Sequence, residues 1–444
     1  MKQFNFSHIL SAALLAGLFV TTSVSAQQKE YTDGVFMLNE GQFGKQRATI
    51  NFLDRDGEWE YRVPITSEGK QIELGSTGCY ATICGENMYI VCKKMKPNDF
   101  EANDPTLVVC DAKTMETKAV INSIKTNYGA AADGRAFLPI AELNKGYLST
   151  TNGVYVISLE SFEVVKLIEG TDGLTNNQTG NMIYHNGKVY AVDVKRGLLV
   201  IDTEDDKLVK TINNEGEKGT YCSIVQAKDG SIWLTAGVGA SGKTADHLVK
   251  FNPETETTEN ISLPSDVNQP TNNWGAWNPD CFTASTTENA LFWNGATGPW
   301  TNGQHIYKFD IDSKQTVLLL DFTTAADPKP YVYGAACRVN PDNGDLYLSV
   351  TKGSAWGDES ELRVYNSTDA TLKAVYPMEK NYWFPEMPVF ALKGSTTAIT
   401  STATATDSQE VARYTIDGRR ISKPQHGLNI VRYSDGSVKK VVVK

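Results

Sequence analysis

The chain has 444 residues, of which 41% are hydrophobic and 21% are charged. This composition is that of a folded globular protein and excludes disorder along most of the chain. Asp and Glu outnumber Lys and Arg by 52 to 42, so the chain lacks the positive surplus with which nucleic-acid-binding proteins contact phosphates. Anionic membrane surfaces are poor partners for the same reason.

Residues 1–26 have the pattern of a cleaved signal peptide. Lys2 supplies the positive start, residues 9–20 are largely apolar, and Val24, Ser25 and Ala26 place small residues at a cleavage site. The apolar run is shorter than the roughly 20 residues of a membrane-spanning helix. We therefore expect cleavage after Ala26 and an exported protein, at the cell surface, outside the cell or in the periplasm, with no transmembrane segment in the mature chain.

Residues 31–392 repeat a two-part unit with a period of about 52 residues. One part is a pair of β-branched or aromatic runs, such as HIYKFDIDSKQTVLLL, joined by a turn that begins with Asp, Asn or a substitute. The seven turn residues are Asp54, Asp111, Leu159, Asp202, Asn252, Asp310 and Asn366. The other part is a turn and a short strand with an aromatic residue, such as NGKVYAV.

Two hairpins per unit make four strands, and four-stranded units at this spacing are typical of β-propellers. The sequence therefore predicts an all-β fold, a seven-bladed β-propeller over residues 31–392. The first unit begins at the second strand of a blade, whereas FPEMPVFAL, near residue 390, follows the last unit without a partner. We expect FPEMPVFAL to form the innermost strand of the first blade and so to close the ring.

The composition changes after the repeats. Residues 393–408 form a Ser/Thr-rich linker, and residues 409–444 contain short strands with Asp-Gly turns. So few residues bury little core. We expect a short C-terminal β-rich tail that serves export, attachment or docking.

One face of the predicted propeller collects aromatic and amide side chains. When the strands of a blade are numbered from the centre outwards, the loops between strands two and three share a face with the loops between blades. Rigid aromatics beside adaptable amides suit a small ligand with flat apolar parts and a polar rim. The alternative is that the Trp residues pack beneath their own loops. The predicted ligand-binding residues are Phe43, Asn176, Asn177, Asn272, Asn273, Trp274, Trp277, Trp300, Asn302, Trp356, Asn381 and Trp383.

Residues 237–244, GVGASGKT, match the phosphate-binding pattern GxxxxGK[ST]. That pattern needs a helix after the Lys to point its N-terminus at the phosphates. Here HLVKFNPET follows, which reads as a strand and a turn. We interpret the match as accidental and the glycines as turn residues.

The Cys and His residues do not form a recognisable metal or catalytic pattern. Four cysteines, Cys79, Cys222, Cys281 and Cys337, have equivalent spacing at the starts of inner strands, where we expect packing. His247 and His305 begin equivalent strands of adjacent blades, too far apart to share one metal ion. Cys92 and Cys110 are the most favourable disulfide pair among the seven cysteines. The sequence predicts no metal, no cofactor and no catalytic residue.

Three features together resemble a known family: NEGQFG at residues 39–44, the aromatic strands, and YPMEKNYWFPEMPVF at residues 376–390. They resemble a Bacteroidetes surface family of YncE-like propellers with YVTN-like repeats, which includes the cobalamin-binding protein BtuG. The resemblance implies a non-enzymatic protein that captures a corrinoid for a TonB-dependent outer-membrane transporter. The ending SDGSVKKVVVK resembles a type IX secretion sorting module. Unlike BtuG, this sequence has no lipobox Cys after the signal.

Two other classes of function remain open. A propeller enzyme, lyase or dehydrogenase-like, would use channel-facing residues such as His247 or His305. A protein-interaction scaffold would use the aromatic face to contact a partner protein. For the capture function we expect a monomer.

Overall fold

The computed structural model describes residues 30–42, 45–93, 104–122, 124, 132–174, 177–213, 220–238, 243–268, 270, 282–296, 302–353, 359–380, 382, 384–390, 410–415, 419–421, 423–433 and 438–443. Across these residues the fold is all-β, and no α-helix occurs; two short 3-10 helices, Ala141–Leu143 and Phe322–Thr324, are the exceptions to strand and turn. No described helix is long and apolar enough to cross a membrane.

The first sheet joins the two ends of the repeat region. It contains β1 (Gly34–Asn39), β2 (Thr49–Asp54), β3 (Trp59–Glu60) and β28 (Pro385–Phe390), in the order β28-β1-β2-β3. β28 pairs antiparallel with β1, with Val35 opposite Phe390 and Leu38 opposite Met387. The predicted pairing of FPEMPVFAL with the first unit is confirmed.

Four further sheets have four antiparallel strands in sequence order. The second contains β4 (Ser76–Cys84), β5 (Asn87–Lys93), β6 (Pro105–Asp111) and β7 (Thr117–Asn122). The third contains β8 (Gly134–Ile140), β9 (Lys145–Thr150), β10 (Gly153–Ser158) and β11 (Val164–Leu167). The fourth contains β12 (Thr179–His185), β13 (Lys188–Asp193), β14 (Gly197–Asp202) and β15 (Lys207–Ile212). The fifth contains β16 (Thr220–Gln226), β17 (Ile232–Val238), β18 (Lys243–Asn252) and β19 (Thr257–Ser262).

Two more groups of four strands form one eight-stranded sheet. They are β20 (Phe282–Ala284), β21 (Ala290–Ala296), β22 (Asn302–Asp310) and β23 (Gln315–Asp321), followed by β24 (Tyr331–Val339), β25 (Leu346–Lys352), β26 (Glu359–Tyr365) and β27 (Leu372–Pro377). β22 joins the groups by pairing with β24 at Asn302 and Gly303. The first strand of each group contacts the first strand of the next, in the order β4, β8, β12, β16, β20, β24, β28 and β4.

Aromatic side chains on the second strands pack against the neighbouring sheet. Tyr89 of β5 lies 4.7 Å from Phe137 of β8, measured between ring centroids. Trp233 of β17 meets the ring of Phe309 of β22 at 5.4 Å, edge to face. Such pairs add stability beyond the apolar area they bury. Tyr89 and Trp233 therefore help to hold adjacent sheets together.

A side-chain oxygen starts the turn between the third and fourth strands of every group. In the third sheet Ser158 Oγ accepts hydrogen bonds from the backbone N–H groups of Glu160 and Ser161. The equivalent acceptors elsewhere are Asp54, Asp111, Asp202, Asn252, Asp310 and Asn366. The expectation that Leu159 is the third-sheet equivalent was wrong by one residue, because leucine has no acceptor for this turn.

The disulfide prediction for Cys92 and Cys110 is also wrong. Both are buried free thiols. Cys110 lies opposite Met88 on β5, whereas Cys92 follows Val91 at the other end of that strand. Four residues of strand separate the two positions by roughly 13 Å, far more than the Cβ separation of about 4 Å that a disulfide requires.

The C-terminal tail forms a separate four-stranded sheet. Its strands are β29 (Glu410–Thr415), β30 (Arg420–Ile421), β31 (Gly427–Tyr433) and β32 (Val438–Val443), in the order β30-β29-β31-β32. Arg413 is largely buried and binds Glu410 through both Nε and Nη2, at 2.8 and 2.7 Å.

Candidate functional site

Only two of the twelve predicted ligand-binding residues are described. Asn177 precedes β12, and Asn302 is the first residue of β22, where its backbone pairs with Tyr333. The other ten lie outside the described residues: Phe43, Asn176, Asn272, Asn273, Trp274, Trp277, Trp300, Trp356, Asn381 and Trp383. Their role in binding stays a prediction.

Asn177 supports the link between β13 and β14. It is 3% exposed, and its Nδ2 donates to Asp193 Oδ2 at 2.7 Å. The same carboxylate accepts from the backbone N–H of Lys195 and of Arg196 through Oδ1. In this arrangement the Asn177 amide organises the loop, and contact with a ligand stays a prediction.

A group of charged and polar side chains from five sheets lies at the ends of strands on the predicted ligand-binding face. We call it the central polar cluster. Its members are Glu40, Cys79, Lys93, Asp133, Arg135, Gln178, Tyr333 and Glu386. Glu40 follows the last residue of β1, and Lys93 is the last residue of β5; both strands are the second of their sheets. Since neighbouring strands are antiparallel, this end also holds the starts of the innermost strands.

The acidic half of the cluster lies where β28, β1 and β24 meet. Tyr333 Oη donates to Glu40 Oε2 at 2.5 Å, and Glu40 is only 4% exposed. Glu386 on β28 is fully buried. Burial raises the pKa of Tyr333 far above its ordinary range, and the two carboxylates raise it further. Tyr333 therefore stays a neutral donor.

The basic half lies on the second and third sheets. The Arg135 guanidinium is 2% exposed; its Nε donates to Gln178 Oε1 at 3.0 Å, and its Nη2 lies 3.6 Å from Asp133. Lys93 Nζ lies 4.0 Å from the same carboxylate. Burial lowers the pKa of Lys93 to about 8; Arg135 adds to this effect and Asp133 opposes it.

Cys79 connects the two halves electrostatically. Its pKa is raised mainly by burial; Arg135 opposes that shift, while Glu386 and Glu40 add to it. The thiol therefore stays protonated and donates to Thr77 O at 3.3 Å. The cluster as a whole offers both hydrogen-bond donors and acceptors, but no activated thiolate.

Burying several ionised groups costs several kcal/mol each in an apolar interior unless they are paired. The sheets of this fold pack against one another mainly through apolar and aromatic side chains. Because burying these charged groups together is costly, the cluster is a candidate functional site.

His247 and His305 each lie beside a carboxylate. His247 is 6% exposed, with Nδ1 2.9 Å from Asp246 Oδ1. His305 Nε2 lies 3.4 Å from Asp321. In the part of the chain that is described, no group of three or more His, Cys, Asp or Glu side chains could hold a metal ion.

The predicted cysteine equivalence holds only in part. Cys79 and Cys222 each sit at a register shift in the first strand of their sheets, whereas Cys337 pairs in register with Leu348. Cys281 lies outside the described residues. Linear spacing misplaced Cys337 because the turn after its strand is longer than the turn after β4.

The GVGASGKT segment lacks the helix that a phosphate-binding loop requires after its Lys. Instead, strand β18 begins at Lys243.

Sequence reasoning missed the central polar cluster. Glu40 lies within NEGQFG and Glu386 within FPEMPVF, the segments that carried the family resemblance. Lys93 and Arg135 interrupt apolar strand patterns at one end. The sequence signal that could have revealed the cluster is a charged residue at the end of an otherwise apolar inner strand.

Comparisons with known proteins agree with the fold. No curated protein matches the chain. A protein from Lactobacillus plantarum solved by structural genomics is 11% identical, with a TM-score of 0.54, covering 81% of this chain and 98% of that one. Dihydro-heme d1 dehydrogenase NirN in complex with DHE is 12% identical, with a TM-score of 0.45, covering 78% and 73%. The structure of U3-55K is 8% identical, with a TM-score of 0.47, covering 69% and 83%.

The Lactobacillus plantarum protein supports a propeller-like fold, and at 11% identity the likeness concerns the fold alone. The model of one family matches residues 33–391, which span the seven groups of four strands and leave out the C-terminal sheet. The chain belongs to DUF5074, a family described as a domain of unknown function.

Proposed function

We propose that residues 31–392 form a closed seven-bladed β-propeller that captures a small polar ligand without chemical turnover. The observation that carries the proposal is the central polar cluster, in which charged and polar side chains from five sheets meet at one end of the strands. The corresponding loops carry the predicted aromatic and amide residues.

The seven-bladed ring is supported by three contacts of β28 at its ends. β28 pairs with β1, and it also contacts β4 of the second sheet and β24 of the last group. Each first strand thus has a neighbour on both sides. In this arrangement the central polar cluster surrounds the mouth of the propeller channel.

The ligand class follows from the chemistry of the cluster. Lys93 and Arg135 are cationic donors, whereas Glu40 and Asp133 are acceptors, so the site suits a ligand with many amide or hydroxyl groups. A corrinoid has such a periphery, and the family resemblance favours one. We propose corrinoid capture outside the cytoplasm, by a secreted monomer that delivers the ligand to a TonB-dependent outer-membrane transporter.

Calorimetric titration of the exported chain with cyanocobalamin tests this proposal, with haem as the comparison ligand. We expect saturable one-to-one binding of cyanocobalamin and no conversion of it. Arg135→Gln should weaken the affinity about tenfold or more, since it removes a charged donor. Lys166→Gln, on the outer strand β11, should leave it unchanged.

Two results would reject corrinoid capture. One is the absence of cyanocobalamin binding to the folded protein at micromolar concentration. The other is an Arg135→Gln variant that folds and binds like the Lys166→Gln control. Saturable binding of haem alone would instead assign the site to another macrocycle.

A further inference from the structure

A small cleft of about 250 Å³ lies on the first sheet, separate from the central polar cluster. Its walls are the loop between β1 and β2 and the connection between β3 and β4. Ile50, Pro64 and Leu74 give it an apolar floor, and Lys45, Arg47 and Arg62 are the cations among its lining residues.

Two of these three cations have no carboxylate partner among the described residues. Arg47 is paired: its Nη1 lies 2.6 Å from Asp104, and its Nε lies 3.5 Å from Glu73. No ion pair within the described part of the chain joins Lys45 or Arg62 to an acid. The cleft therefore has an excess of positive charge, although the chain as a whole carries a net charge of −10.

Arg62 is held in place by its surroundings. Its φ of 59° lies in the left-handed region, and its backbone N–H donates to Asn51 Oδ1 at 3.1 Å. Its side chain hydrogen-bonds with that of Tyr382, whose ring stacks on Tyr61 with centroids 4.5 Å apart. The left-handed conformation of a bulky residue costs about 1–2 kcal/mol. Such strain persists where neighbouring groups fix the residue.

The stack itself is anchored to the loop before β28. Tyr61 Oη accepts from the backbone N–H of Glu379 at 2.8 Å. Trp59 lies beyond Tyr61, with nearly parallel rings and centroids 6.1 Å apart. Tyr382, which hydrogen-bonds to the Arg62 side chain, is thus itself fixed by its stack on Tyr61.

We propose that this cleft binds the carboxylate of a small amphipathic anion, with the apolar part of the ligand against Ile50, Pro64 and Leu74. Arginine and lysine form strong charge-assisted hydrogen bonds with carboxylates. The volume lies below the roughly 300–1,000 Å³ of pockets for drug-sized ligands. The site thus takes a small acid. It stands independently of corrinoid capture, because no residue is shared with the central polar cluster.

Benzoate and benzamide are the probes, because they have nearly the same shape and differ in charge. Calorimetry on the full mature chain should show saturable binding of benzoate and binding of benzamide at least about tenfold weaker. Arg62→Gln should weaken benzoate binding about tenfold, again as expected for a charged hydrogen bond. Glu73→Gln should strengthen it, since it removes a negative charge from the lining.

Arg55→Gln is the matched control. Arg55 belongs to the same sheet, is 71% exposed, and pairs with Asp33 at 3.5 Å away from the cleft. The Arg55→Gln substitution removes the same charge as Arg62→Gln and should leave benzoate binding unchanged. Circular dichroism establishes that each variant is folded.

Equal binding of benzoate and benzamide would overturn the proposal, and so would the absence of benzoate binding at millimolar concentration. Opposite effects of Arg62→Gln and Glu73→Gln cannot arise from a general loss of structure. If the folded Arg62→Gln and Glu73→Gln variants both bind benzoate like the Arg55→Gln control, the anion does not occupy this cleft.

Discussion

Tyr333 and Glu40 are 293 residues apart in the sequence and share a 2.5 Å hydrogen bond between Oη and Oε2. The bond links the last group of strands to the first sheet, beside the β28–β1 pairing. It therefore contributes both to the central polar cluster and to the contact between the two ends of the repeat region.

The Tyr333→Phe substitution tests how much that hydrogen bond contributes to the unfolding free energy. Removing the hydroxyl takes one hydrogen-bond donor away from the buried Glu40 carboxylate, which costs about 1–3 kcal/mol of unfolding free energy. Urea denaturation followed by fluorescence measures the change. Tyr331→Phe is the control, because Tyr331 is less buried and its hydroxyl makes no hydrogen bond to a described residue. Equal stabilities of the two variants would contradict the importance of the bond.

Lys93 gives a prediction about pH. Its folded pKa of about 8 lies below the ordinary value of 10.5, so between these values the unfolded chain binds more protons than the folded one. The unfolding free energy should therefore gain a contribution on the order of 3 kcal/mol as the pH rises through this window.

The Lys93→Met variant lacks that contribution. The wild-type protein should become more stable relative to the variant as the pH rises from about 8 to 10.5, as measured by urea denaturation at each pH. If the difference between the two proteins does not change over this range, the Lys93 ammonium is not held at a desolvated position.

Truncation tests the role of β28. A chain ending at residue 383 lacks β28 and the C-terminal sheet, whereas a chain ending at residue 409 lacks only the latter. We expect the first to lose cooperative unfolding, because β28 contributes a buried strand to the first sheet and contacts two others. The second should melt like the full chain. Thermal melts followed by circular dichroism compare them, and similar melts would show that β28 is dispensable.

The fold was largely predictable because its repeating unit is marked by local sequence features. Turn acceptors and aromatic strands recur at a regular spacing, and each has a local reason to be where it is. The errors arose where positions were assigned by residue spacing, without knowledge of the strand register. Leu159 was chosen over Ser158 from spacing, and Cys92 was paired with Cys110 although they lie at opposite ends of a hairpin.

The central polar cluster was not predictable in the same way. Glu40, Arg135 and Tyr333 come from distant parts of the chain, and their association depends on how separate sheets meet. Single-sequence patterns describe each strand but not its neighbours in space. The aromatic and amide residues predicted on the loops stay a prediction for nearly all their members.

The turns between third and fourth strands have a further consequence for engineering. In six groups of strands, the fourth residue after the turn acceptor has a left-handed backbone without being glycine; these residues are Met115, Phe162, Asp206, Glu256, Lys314 and Ala370, with φ between 52° and 61°. They lie at the opposite end of the sheets from the central polar cluster. These six strained positions are thus remote from the proposed ligand-binding face, and Asn or Gly replacements there are expected to relieve backbone strain sheet by sheet.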